Sequence, residues 1–210
     1  KMEKNEIQNF LSSLDWSKPW SAGAEFANLS FFNVTQITKN KEQKEVLYSF
    51  ITSLVSKDTG LYHSGETPSP SQSVNGAMKV LSGLDWLEMP IHYPEKLIDY
   101  CLNVTPNQEG CDLVDLVYVL YRSSNETNYK RKEIIQYLEE IYKIIDKHYY
   151  PEIGGFSYYL NKSQIYYYGL ITSKGYNSPD IHGTILLTWA LSMMLKISED
   201  HNFNWNIIKP

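Results

Sequence analysis

The chain has 210 residues, 42% of them hydrophobic and 14% aromatic, enough for one domain that buries roughly 70% of the surface its unfolded form exposes. That composition excludes intrinsic disorder, and a formal charge of -5 excludes a broad electrostatic grip on nucleic acid. No window approaches the roughly 18 uninterrupted apolar residues of a membrane span, and two cysteines, Cys101 and Cys111, are too few for a disulfide framework.

Residues 5–14 read as a short amphipathic helix, closed by Asp15-Trp16-Ser17-Lys18-Pro19-Trp20, because Pro19 lacks the amide hydrogen needed to continue it. Further helices are predicted over 21–38, 41–56, 73–87, 94–104, 111–123, 129–149 and 180–198. The segment 129–149 sets Ile134, Ile135, Leu138, Ile141, Tyr142 and Ile145 at three- and four-residue spacing against Lys, Arg and Glu, the pattern of a surface helix with one buried stripe. By contrast 180–198 is apolar nearly all round, with Leu186, Leu187, Trp189, Leu191, Met193 and Met194, and belongs in the interior. The same contrast separates 21–32 from 41–56, so inner and outer helices alternate. The exception to helix is 156–176, where Tyr158, Tyr159, Leu160 and Ile165, Tyr166, Tyr167 flank Asn161-Lys162-Ser163-Gln164. This is the pattern of an aromatic β-hairpin leaning over one end of the bundle.

A motif recurs at the starts of the apolar helices. The openers are Ser21-Ala22-Gly23-Ala24-Glu25-Phe26, Val74-Asn75-Gly76-Ala77-Met78, Gly110-Cys111-Asp112-Leu113-Val114-Asp115 and Asp180-Ile181-His182-Gly183-Thr184-Ile185. Loops of related character, Thr59-Gly60-Leu61-Tyr62 and Gly154-Gly155-Phe156-Ser157, precede two of them. A degenerate helical-hairpin repeat follows, and with it an all-α fold of the α/α-toroid kind with a small Tyr-rich β-hairpin. The expected organisation is one domain over 1–210: an N-terminal helix and linker (1–19), a repeat core (20–198) and a C-terminal tail (199–210). Eight helices are fewer than the twelve or so of a closed toroid, so an open version or a fragment is expected. Such stacking brings the starts of the inner helices together around one cavity.

The run Ser178-Pro179-Asp180-Ile181-His182-Gly183-Thr184, opening an apolar helix after a Gly-Gly-Phe loop, resembles the C-terminal repeats of the terpenoid cyclase and protein prenyltransferase superfamily. There an Asp-x-x-His-Thr stretch opens an inner helix and its His binds zinc. In this chain the His follows the Asp by two residues, and Val117 stands where the family's Asp-x-Cys pair has its Cys; Cys111, one turn before Asp115, offers a substitute on the same face. The resemblance implies the architecture of 20–198 and, as an alternative to a cofactor-free site, zinc held by Cys111, Asp115 and His182 with an open position. The Asp-x-Asp-Asp and Asp-Asp-x-x-Asp motifs of terpene chemistry are absent from the sequence, which moves weight toward glycans.

His182, in the first turn of a buried helix, is the leading candidate for a catalytic base or ligand, since a helix N-terminus favours the neutral imidazole. Asp180 and Asp115 are the candidate acidic partners; Asp180 also reads as a helix-start residue, and Asp115, among Leu116, Val117 and Val119, as a buried carboxyl with a raised pKa. Glu25, Asn75 and Asp112 are the expected polar contacts to substrate, with Tyr167 and Trp20 as stacking surfaces. Each has a plainer reading as a cap, a turn residue or core packing.

The functional expectation is an enzyme, or an enzyme-derived domain, holding an apolar or carbohydrate-like substrate in a cavity lined by inner-helix N-termini. Hydrolysis or elimination of glycans competes there with prenyltransferase or cyclase chemistry, and a non-catalytic binding or scaffold module is the alternative outside catalysis. The expected partner is a small molecule, an isoprenoid or a glycan, with no nucleic acid and no membrane span. A chain that starts Lys1-Met2 reads as trimmed from a longer precursor, so a cytoplasmic, soluble protein is the default only. Five N-x-S/T sequons, at Asn28, Asn33, Asn103, Asn125 and Asn161, arise readily in an Asn- and Ser-rich chain and do not fix the compartment.

Overall fold

A computed structural model describes residues 3–36, 41–199 and 206–210. Among these lie eight helices: α1 (Lys4–Ser13), α2 (Pro19–Gln36), α3 (Lys41–Leu54), α4 (Pro70–Leu87), α5 (Pro94–Leu102), α6 (Gly110–Ser124), α7 (Arg131–Asp146) and α8 (Ile181–Ile197). All eight predicted helices have a counterpart. Residues 37–38 of the second prediction, and 200–205 of the 199–210 tail, lie outside the described residues.

The main boundary shifts have a common cause. α2 and α4 each begin on a proline, Pro19 and Pro70, whose fixed φ suits the first helical position and whose missing N–H is not needed there. Ser69 caps α4 by accepting the Gln72 N–H. α8 starts one residue late because Asp180 stands before it as the N-cap, accepting the Gly183 N–H at 2.8 Å.

α2, α4, α6 and α8 pack one against the next in chain order, α1 lies against α3, and α5 and α7 lie outside α6. The first four contribute fully buried Phe26, Leu81, Leu84, Leu116, Val117 and Leu187 to the interior. Burial of each such side chain contributes about 1.5–3 kcal/mol. α8, expected to be interior on all sides, nevertheless leaves Ile181 and Ile185 79% and 61% exposed. α7 buries only Ile134, Leu138, Ile141 and Ile145, one stripe, as its sequence pattern requires. No described helix is long and apolar enough to cross a membrane.

Two glycines set how closely the inner row packs. A Cβ on Gly76 of α4 would stand 2.6 Å from Pro19 Cβ, so the start of α2 rests directly on α4. A Cβ on Gly183 would stand 2.4 Å from the Tyr158 amide nitrogen and 2.5 Å from the Ser157 carbonyl carbon, so α8 begins in backbone contact with the loop ahead of it.

The β structure differs from the single hairpin expected. Tyr149–Tyr150 (β1) pairs antiparallel with Gly155–Phe156 (β2), and Tyr166–Tyr167 (β3) with Leu170–Ile171 (β4). A tight turn does close at 159–162, with Asn161 at a left-handed φ of 56°, a conformation Asn tolerates. Its arms part immediately, however, because Asp180 takes the Gln164 amide hydrogen at 3.1 Å. The chain turns back instead at Tyr168-Gly169, both at positive φ, the geometry of a two-residue hairpin turn. Tyr149, predicted to end the seventh helix, lies in β1.

Candidate functional site

The N-terminal halves of the inner helices face one cavity of about 700 Å³. α2 supplies Trp20 and Glu25, α4 supplies Met78 and Lys79, α6 supplies Cys111 and Asp115, and α8 supplies His182, Leu186 and Trp189. Tyr158, Gln164, Tyr166, Tyr167 and Tyr168 close the side formed by the β-hairpins. Cys111 and Asp115, four residues apart on α6, face the cavity together, as one helical turn dictates.

Asp115 is 2% exposed, and its Oδ2 is buried with no hydrogen-bond partner among the described residues. Burial pushes its carboxyl up to about 7; the Lys79 ammonium opposes this and the Asp112 charge adds to it. Trp189 Nε1 is likewise buried without a partner. Both residues line the cavity, and each buried polar atom is costly to leave unpaired.

His182 is held from three sides. Its Nδ1 lies 2.6 Å from Gln164 Oε1; the amide oxygen has no hydrogen to give, so Nδ1 carries the proton and Nε2 is left as the basic atom. The Tyr158 ring stacks on the imidazole at 5.1 Å between centroids and the Tyr167 ring meets it edge-on at 4.8 Å. Burial lowers its pKa below the ordinary histidine value, with the Asp180 charge opposing and Lys79 reinforcing. The imidazole is therefore neutral at neutral pH.

Asp180 lies outside the large cavity and binds backbone. Its Oδ1 accepts the Gly183 N–H at 2.8 Å, and its Oδ2 accepts those of Tyr158 at 2.8 Å and Gln164 at 3.1 Å. One carboxylate thus ties the start of α8 to the two loop residues that grip His182. This arrangement gives Asp180 a positioning part, where the sequence suggested a catalytic one.

Asn75 and Asp112, expected on the rim beside His182, line a separate cavity of about 260 Å³ between α4 and the segment before α6. Asp112 Oδ1 accepts from Ser71 Oγ at 2.7 Å and from Asn75 Nδ2 at 2.8 Å, and Asn75 is fully buried. Asn75 therefore serves packing between α4 and α6, and neither it nor Asp112 lines the cavity that holds His182. Of the remaining expected contacts, Trp20, Glu25 and Tyr167 do line the large cavity, Glu25 as an exposed residue at its edge.

Cys111, Asp115 and His182 share that cavity, yet no group of three or more His, Cys, Asp or Glu side chains among the described residues is placed to hold a metal ion. Tyr158, stacked on His182 and beside Cys111, occupies the region the ligand set would need. Burial pushes the Cys111 thiol up to about 11, away from the thiolate that zinc requires. The residues do not fit zinc as arranged.

Gln164, Lys79 and Trp189 were not singled out by sequence. Lys79 leaves a trace there, a lone cation in Ala77-Met78-Lys79-Val80-Leu81. Gln164 leaves none, because its role depends on where the hairpin turns.

No protein-family model matches the chain, no curated protein matches it in sequence, and no solved structure matches it in fold.

Proposed function

We propose that the cavity between the inner helices is the active site of a glycan-active enzyme, in which Asp115 and His182 form an acid–base pair. Asp115 holds its proton near neutral pH and gives it to the oxygen of the scissile glycosidic bond. His182 Nε2, unprotonated, takes a proton from water in hydrolysis, or from carbon in elimination. Gln164 and Asp180 hold the imidazole in the required tautomer and place, Tyr158 backs its ring, and Trp20 and Tyr167 supply aromatic surface to the sugar. In this reading the inner row α2–α4–α6–α8 is an open α/α toroid, the architecture implied by the likeness of 178–184 to the terpenoid cyclase and prenyltransferase repeats.

The observation that carries the proposal is the buried, unpartnered Oδ2 of Asp115 in the same aromatic-walled cavity as a neutral His182. A carboxyl raised by burial and an imidazole lowered by burial place a protonated acid and a free base in one cavity near neutral pH. Perturbed groups of this kind concentrate at sites of chemistry.

The test is incubation of the protein with neutral, N-acetylated and uronic-acid-containing oligosaccharides, with products read by mass spectrometry. Hydrolysis adds one water to the products; elimination leaves their total mass equal to that of the substrate. Cleavage by the natural chain that falls by roughly 10²-fold or more in Asp115→Asn and in His182→Ala, with the helical circular dichroism retained, is the expected result. Cleavage unchanged in both variants would overturn it.

A further inference from the structure

The His182 cavity has a neighbour. A second cavity of about 520 Å³ opens on the far side of the imidazole, and Gln164, Tyr167 and His182 line both. Each is of ligand size by itself, since small-molecule pockets run to about 300–1,000 Å³. A single-unit ligand needs only one. The three residues already assigned to the chemistry form the partition between them, so a molecule occupying both would cross His182 at its middle.

We infer that the two cavities are consecutive subsites for a linear glycan of at least two sugar units, with the bond between units lying over His182. This rests on the glycan reading above and adds a substrate length and a point of attack within the chain. The second subsite carries Tyr176, Ser178 and Lys174: a ring face for the carbon side of a sugar, a hydroxyl and an ammonium for its oxygens. An isoprenoid chain would bury these polar groups without partners. The rim continues the same chemistry. Tyr168, at the tip of the β3–β4 turn, is 91% exposed and Tyr166 is 62% exposed, and rings held out beside a cleft suit a chain that extends beyond it.

The experiment is calorimetric titration of the protein with mono- to hexasaccharides of the neutral, N-acetylated and uronic-acid series, and with a polyprenyl diphosphate. In the series that binds, affinity rises about tenfold or more from mono- to disaccharide. In Tyr176→Ala with Lys174→Ala that gain is lost while monosaccharide affinity stays as in the natural chain; both residues lie on the surface and touch only the second cavity, so the fold tolerates the change. Affinity independent of length, or a length gain that survives the double variant, overturns the two-subsite inference and leaves the glycan site standing. Failure of every saccharide, with or without binding of the polyprenyl diphosphate, overturns both.

Discussion

Asp180 anchors Gln164 and Gln164 in turn orients His182: the Asp180 carboxylate accepts the Gln164 backbone N–H at 3.1 Å, and from that anchored residue the Gln164 side chain accepts the His182 Nδ1 hydrogen at 2.6 Å. The imidazole is set by a chain of two hydrogen bonds that starts at the cap of its own helix. Helix start, loop and base are therefore one unit.

Gln164→Leu removes the acceptor for Nδ1 and lets the proton move to Nε2. Activity on the cleaved glycan is expected to fall by roughly fivefold, the worth of one neutral hydrogen bond of about 1 kcal/mol, with melting temperature little changed. The two imidazole nitrogens in ¹⁵N NMR check the tautomer directly: protonated at Nδ1 in the natural chain, mixed in the variant.

Asp180→Ala leaves three backbone N–H groups without their acceptor. Loss of the cap alone costs about 1–2 kcal/mol, and the two loop amides add to it. Chemical denaturation should show a stability loss above that of an ordinary cap deletion, together with loss of activity. Asp180→Ser restores the cap but not the reach to Tyr158 and Gln164, so it recovers part of the stability and little of the activity.

Gly183→Ala drives a methyl group into the Tyr158 and Ser157 backbone. Neither is the flexible end of a side chain, so α8 must move. A destabilisation of about 1–3 kcal/mol is expected from overpacking, together with weaker Tyr158–His182 stacking; urea denaturation and the binding titration measure the two effects.

Stability should respond to pH through Asp115. Its carboxyl is raised from 3.8 to about 7 in the fold, so between those values the folded chain keeps a proton that the unfolded chain has released. The contribution is fully present below the unfolded value and is lost as pH rises through about 7. His182 and His148, both lowered by burial, act in the opposite sense: their contribution is present above the unfolded histidine value and is lost as pH falls below it. Asp115→Asn removes the first dependence only. Melting temperatures from pH 5 to pH 8 should therefore fall more steeply for the natural chain than for the variant, which is the more stable of the two at pH 8.

Much of the helical order was legible because it depends on local signals: the proline at 19 that closes the first helix, the stripe of α7, the apolar run of α8; the starts of α2 and α4, on Pro19 and Pro70, were read two and three residues late. The inward direction of Asp115 followed from its apolar neighbours and from its one-turn spacing to Cys111. What depended on packing across elements was not legible. Asn75 and His182 both precede a glycine at an inner-helix start, yet one is sealed between α4 and α6 and the other faces the cavity. The hairpin was misplaced because Asn161-Lys162 is a good local turn, while the capture of the Gln164 amide by Asp180, which separates its arms, is a contact sixteen residues long. Asp180 was legible as a helix-start residue, but its hold on the Tyr158 and Gln164 amides was not, because these two of its three amide partners come from that distant loop.

The central claim is that Asp115 is a protonated acid in the same cavity as a neutral, Nδ1-protonated His182. Its most direct test is an NMR titration of the Asp115 carboxyl carbon and the His182 ring nitrogens in the natural chain, with Asp115→Asn and His182→Ala used for assignment. The account requires Asp115 to remain protonated at pH 5 and to titrate near 7, with His182 titrating below the ordinary histidine value and therefore uncharged, Nε2 bare, at pH 7. An Asp115 already ionised at pH 5, or a His182 that carries both protons at pH 7, would contradict it.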